Sequence, residues 1–208
     1  LQVDHIDLYQ IHWPDEDHVR IEEPWTAMAE LQDAGVVRWL GLSNCDRALV
    51  DRCLAIRHVD SVQNQLSLLH RADTADLLAY LEEKGVGYLA YGPLAYGLLT
   101  GAVTRETRFG PDDWRGGRWN LGYYQDLFAP GRLERNLDVV EALEEVAEDI
   151  GIALPTLALR AALEMRGVTG VIAGSRNPDH VRANAEAGSL SLGPNVLRRV
   201  ERLLDQRA

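Results

Sequence analysis

Five short runs, largely apolar and each giving way to a polar residue or a turn, constrain this chain most, because a stretch with helical spacing follows every one of them. The runs are Ile6 to His12, Val36 to Leu42, Asp60 to Gln65, Val86 to Tyr91 and Val168 to Ala173. Between the first two, Trp25, Met28 and Leu31 fall on one helical face, and Gly35 supplies a stop. Further helices are predicted over Arg47 to Ile56 and over Ala75 to Glu83, the latter ending at Gly85. Leu133, Leu137, Val140, Ala147 and Ile150 predict another, with three more over Pro155 to Met165, from Pro178, and over Asn195 to Leu204. Two parallel strands cannot be joined by a tight turn; they need a crossover, which a helix provides. The alternation therefore predicts an α/β protein with a parallel sheet.

An open doubly wound sheet that binds a dinucleotide normally carries a G-x-G-x-x-G turn after an early strand, and none occurs here. Polar residues stand instead at the ends of successive runs: His12, Ser43 with Asn44, Gln63, Tyr91, and Gly174 with Ser175 and Arg176. In a barrel of parallel strands such ends meet at one mouth, where active sites form. The expected architecture is therefore one barrel domain spanning residues 1–208, with a long irregular loop over 101–131. The first run looks like a buried strand that delivers His12 to its C-terminal end, just before Pro14 and the acidic Asp15-Glu16-Asp17.

Composition narrows the partners. A net charge of -11 opposes binding to nucleic acid or to anionic membranes, both of which need clustered positive charge. No apolar run approaches the roughly 20 residues that span a bilayer, and no basic segment precedes an apolar one as in a secretory leader. A cytoplasmic protein acting on small molecules is expected. Cys45 and Cys53 read as reduced thiols, with nothing at metal-ligand spacing around them. Lys84 is the only lysine among 21 basic residues. The chain starts at Leu1 and reaches its first strand by Ile6, which suggests a portion of a longer polypeptide.

Five motifs, in order, resemble those of the aldo-keto reductase family. They are Asp7-Leu8-Tyr9-Gln10-Ile11-His12-Trp13-Pro14, Gly41-Leu42-Ser43-Asn44, Gln63 with Leu68-Leu69-His70-Arg71, Tyr91-Gly92-Pro93-Leu94 with Gly97-Leu98-Leu99-Thr100-Gly101, and Ile172-Ala173-Gly174-Ser175-Arg176 with Asn184. The resemblance implies strands four to eight of an eight-stranded barrel and an enzyme that reduces aldehyde or ketone carbonyls with NADPH. It implies that His12 meets the substrate carbonyl oxygen, that Ser43, Asn44 and Gln63 bond the nicotinamide carboxamide, and that Tyr91 stacks on the ring. Gly92, Pro93, Leu94 and Gly97 would bring backbone to the pyrophosphate. Gly174, Ser175 and Arg176 would receive the ribose phosphate that separates NADPH from NADH, with His180 and Asn184 at the adenine end. Trp114, Trp119, Tyr123 and Tyr124 would wall the site.

The family's tyrosine, lysine and aspartate belong to strands this chain does not contain, so the remaining half of the same barrel is the expected partner. Lys84 ends a helix on the far side from the mouth and does not replace the lysine. His180 stands where the family often has Gln or Arg, Ala183 where it often has an acid, and Leu66 where an aromatic is common. Two other functions fit the same residues: a nucleotide-binding regulatory barrel with little turnover, and an inactive half-barrel scaffold.

Overall fold

Five strands pair in the order in which they occur along the chain, every pair parallel. They are β1 (Ile6–Ile11), β2 (Val37–Ser43), β3 (Ser61–Gln65), β4 (Gly87–Tyr91) and β5 (Gly170–Ile172). The helices are α1 (Glu22–Asp33), α2 (Arg47–Leu54), α3 (Leu77–Lys84), α4 (Arg132–Asp149), α5 (Leu154–Leu163), α6 (Pro178–Glu186) and α7 (Pro194–Arg207). The structure is a computed structural model and describes residues 2–15, 17–116 and 126–207. In a doubly wound sheet the strand order reverses at a switch point; here each strand joins the edge left by the one before, which is how a barrel wall grows. β5 is shorter than its apolar run suggests because Thr169 pairs through its side chain: its N–H donates to Tyr88 O (2.9 Å) while its Oγ1 accepts from Tyr88 N–H (3.0 Å).

The chain forms two compact units. The first comprises Leu1–Gln65, Arg71–Tyr91 and Met165–Ile172, and so contains the whole sheet with α1 to α3. One face of that sheet, carrying Leu40, Leu42, Val62, Tyr88 and Ala90, is buried, as is Trp25 on α1. Removing apolar side chains of this size from water is the main stabilising term of such a unit. Leu31, expected beside Trp25 and Met28, is 39% exposed, and Ala29 is buried with those two instead. β1 departs further from expectation: Asp7, Leu8 and Tyr9 are exposed, and the strand is an edge rather than a buried member. The helix stops at Gly35 (φ +72°) and Gly85 (φ +69°) follow the reading from sequence, each in the left-handed region that a residue without Cβ enters freely. α2 is capped by Asp46, whose carboxylate accepts from Leu49 N–H at 2.9 Å.

Between α1 and α2, Arg52 donates to both carboxylate oxygens of Glu22 at 2.8 and 2.7 Å. These bonds, ahead of Glu22's own backbone N–H and the charge of Arg20, hold the Glu22 carboxyl down to about 2 from its ordinary 4.5. A carboxyl with a lowered folded-state value adds stability that is present above the unfolded value and is lost as pH falls through the folded one. Thermal melts between these two pH values are therefore expected to fall less steeply for Glu22→Gln than for the native protein; equal slopes would assign no acid sensitivity to the pair.

The second unit comprises Leu66–His70, Gly92–Glu164 and Ala173–Ala208. In α4, Leu137, Val140 and Ala147 are buried as predicted, whereas Ile150 is exposed because the helix ends at Asp149. Arg199 of α7 bonds Asp149 at 2.6 Å. In the described part of the long loop, Trp114 stands edge-on to Tyr96 (5.1 Å between centroids) and to Phe128 (5.6 Å), which meets Phe109 in turn at 5.5 Å. Trp114 thus serves an aromatic cluster, while Trp119, Tyr123 and Tyr124 lie outside the described residues. Among the described residues no helix is long and apolar enough to cross a membrane.

Candidate active site

Parallel pairing puts the C-terminal ends of all five strands on one rim of the sheet, and in the first unit one residue joins the ends of three of them to Gln63 in the middle of β3, which the sequence had placed at a strand end. Asn44 follows β2 directly with φ +54°, a left-handed conformation that Asn tolerates better than most residues. Its Nδ2 donates to the His12 carbonyl beyond β1 (2.7 Å) and to Ser43 Oγ (3.1 Å). Its Oδ1 accepts from the Tyr91 hydroxyl at the end of β4 (2.6 Å). On β3, Gln63 O accepts from Asn44 N–H (3.1 Å) and from Ser43 Oγ (2.6 Å). His12, Ser43, Asn44, Gln63 and Tyr91 are therefore one connected set. His12 is held by its backbone, leaving the exposed imidazole to project from the rim.

Beneath this set lies a polar bridge that crosses a strand. Gln63 Nε2 donates to Gln10 Oε1 (2.9 Å), and Gln10 Nε2 donates to Ser61 Oγ (3.2 Å). Gln10 lies on β1 and the other two on β3, so the Gln10 amide must pass over β2. It passes at Gly41, the register partner of both Gln10 and Ser61. A Cβ there would lie 2.5 Å from Ser61 Oγ and 2.9 Å from Gln10 Cγ. Sequence reasoning missed Gln10, Gly41 and Ser61 as members of the site; the available signal was a glycine inside a strand, which marks close approach of a neighbour.

The remaining predicted residues belong to the second unit. Gly92 (φ +64°) opens a turn in which Ala95, Tyr96 and Gly97 also have positive φ (48°, 54° and 105°). Gly97 N–H donates to Leu94 O (3.1 Å), and Arg115, paired to Asp113, donates to Tyr96 O (3.1 Å). Left-handed Ala and Tyr cost roughly 1–2 kcal/mol each, so this turn after β4, with Pro93 at its start, is held against its own preference. Gly174 follows β5 by two residues and has nothing within 4 Å of a would-be Cβ. Ser175 Oγ accepts from Asn177 N–H (3.1 Å) and lies 3.5 Å from His180 Nδ1. Asn177 caps α6 through Asp179 N–H, and Asp179 is paired to Arg182 at 2.6 Å. Ser175, Arg176 and His180 are exposed around this helix start, with half-buried Asn184 one turn further on.

The model of the aldo/keto reductase family matches residues 1–205. The chain belongs to that family. Among curated relatives of this aldo/keto reductase, the aldo-keto reductase YhdN of Bacillus subtilis (strain 168) is 32% identical over 206 residues, covering 99% of this chain and 60% of the relative. The NADH-specific methylglyoxal reductase of Escherichia coli (strain K12) is 29% identical over 194 residues, covering 92% of this chain and 57% of its own length. Among solved structures, the glycerol dehydrogenase AKR11B4 from Gluconobacter oxydans superposes with a TM-score of 0.88 at 30% identity, over all of this chain and 61% of that one. The sheet and helices are thus those of a partial (β/α)8 barrel, as the strand order indicated, and the chain spans about 60% of the length of such relatives.

Proposed function

We propose that this chain carries the cofactor side of an NADPH-dependent reductase that converts aldehyde or ketone carbonyls to alcohols in the cytoplasm. The observation that carries the reading is the Asn44-centred set, which joins the ends of β1, β2 and β4 to Gln63 of β3 in one arrangement. Amide and hydroxyl oxygens accept more than one hydrogen bond, so beside their mutual bonds Ser43, Asn44 and Gln63 hold the amide hydrogens of the nicotinamide carboxamide and decide which ring face is presented. The Tyr91 hydroxyl is engaged by Asn44, which leaves its ring to support the nicotinamide by stacking. When bound, NADPH supplies a hydride to the carbonyl carbon. The His12 imidazole donates a hydrogen bond to the carbonyl oxygen, orienting it and stabilising the negative charge that develops there. In the second unit, the positive-φ turn with Gly92, Pro93, Leu94 and Gly97 offers backbone to the pyrophosphate, His180 and Asn184 serve the adenine end, and the open space at Gly174 with Ser175 and Arg176 suits an anionic phosphate.

The proton and the rest of the catalytic set come from the missing N-terminal half of the same barrel. The sheet supports this: the face bearing Gln10, Gly41 and Gln63 also exposes Leu8, Trp39 (56%) and Ile172 (45%), while the opposite face is buried from β2 to β4. A large apolar surface left to water on one side of a sheet indicates a covering element. The NADH-specific relative makes the choice of nicotinamide nucleotide a point to measure. Arg176→Ala is expected to weaken NADPH binding to the complete protein about tenfold, the size of one charge-assisted hydrogen bond, and to leave NADH binding unchanged. Equal losses for both nucleotides would remove Arg176 from the phosphate site. NADPH binding with no turnover of any aldehyde would favour the regulatory reading instead.

A further inference from the structure

Behind the rim, on the buried face of the sheet, a second amide grips the turn that carries Asn44. Asn64 follows Gln63 on β3 and therefore points to the opposite side. It is 8% exposed. Its Oδ1 accepts from Cys45 N–H (3.1 Å), and its Nδ2 donates to Cys45 O (2.8 Å), so one side chain clasps both polar groups of a single backbone residue. The second Nδ2 hydrogen goes to Asp73 Oδ2 (2.8 Å), which also accepts from the Tyr88 hydroxyl (2.8 Å). Burial, followed by the charge of Asp73, pushes the Tyr88 hydroxyl well above its ordinary range, so it stays a donor. Burial pushes the Cys45 thiol up as well, which keeps it protonated.

The clasped residue is the one after Asn44. β3 thus holds this turn twice, through the Gln63 carbonyl, which takes Ser43 and the N–H of left-handed Asn44, and through the Asn64 side chain, which takes the next residue from the buried face. Asn44 pays about 1 kcal/mol for its conformation, and relaxing it would swing its amide off His12, Ser43 and Tyr91. We propose that Asn64, backed by Asp73 and Tyr88, is a positioning residue for the nicotinamide: it touches neither cofactor nor substrate and acts by keeping the Asn44 amide in its binding arrangement. This inference rests on the cofactor reading above.

The test separates positioning from simple support of the fold by using two probes in the complete protein. NADPH engages the Asn44 turn, whereas its adenosine bisphosphate half, lacking the nicotinamide, does not. Asn64→Ala is expected to weaken NADPH about tenfold, leave the adenosine bisphosphate affinity within a factor of two, and reduce the facial selectivity of hydride transfer from deuterium-labelled NADPH. Tyr88→Phe keeps the ring volume and removes only the outermost hydrogen bond of the relay; it is expected to lower the ratio of the two affinities about threefold, and it remains informative if the alanine variant does not fold. Unchanged ratios in folded variants, or equal losses for both probes, would overturn the proposal. Failure of the native protein to bind NADPH would instead overturn the cofactor reading, so the two failures are distinct.

Discussion

Gly41→Ala is expected to destabilise the protein by about 2–3 kcal/mol, the range for overpacking a site that cannot relax freely, and to lower its melting temperature by about 4–12 °C. The cause is local. A methyl group at this position meets Ser61 Oγ at 2.5 Å and the Ser61 carbonyl oxygen at 2.9 Å, and the second of these is backbone in the neighbouring strand. It also lies 2.9 Å from Gln10 Cγ, so the amide that spans β2 is displaced and Gln63 loses its partner. Adding Ser61→Gly removes the nearer clash and leaves the backbone one; chemical denaturation of the double variant should recover part of the loss and not all of it. Full recovery would place the strain on the serine hydroxyl alone, and an undisturbed single variant would mean that the bridge does not depend on the glycine.

His12→Ala is expected to act on turnover and on little else. The ring is exposed and makes a tilted approach to Trp13 at 5.9 Å, and the Asn44 bond that anchors this segment goes to the His12 carbonyl, which alanine retains. Stability should stay within about 0.5 kcal/mol of native, as for most exposed substitutions, and NADPH affinity within a factor of two. Loss of a donor aimed at the developing oxyanion typically lowers turnover by about 10²–10³-fold. Single-turnover measurements with saturating NADPH isolate that step. A variant that turns over at the native rate would remove His12 from the chemistry, and one that loses NADPH affinity instead would make it a binding residue.

Much of the frame was legible in the residues because it depends on local signals. Periodicity and the glycine stops placed the helices to within a few residues, and the switch from apolar run to polar residue marked the rim positions His12, Ser43 with Asn44, and Tyr91. What could not be read depends on pairing. β1 has the composition of a buried strand, yet Leu8 and Tyr9 are exposed, since burial depends on which strands stand beside it and not on its own residues. The Gln10 to Ser61 bridge joins residues 51 apart and exists only because the register brings Gly41 between them. Asn64 reads in sequence as one more polar residue in Ser61-Val62-Gln63-Asn64-Gln65; only the structure shows that its side chain holds the residue after Asn44 while the Gln63 carbonyl holds Asn44 itself.

The central claim is that this aldo/keto reductase chain holds a nicotinamide nucleotide through the Asn44-centred set. Titrating the complete protein with NADPH and following its tryptophan fluorescence tests it most directly, because Trp39 lies on the same sheet face as Gly41 and Ser43. Saturable quenching by NADPH is expected, weakening at least tenfold in Asn44→Ala through loss of the amide that joins His12, Ser43 and Tyr91. Native protein that shows no saturable response to NADPH or NADH, or an Asn44→Ala variant that binds NADPH as tightly as native, would contradict it.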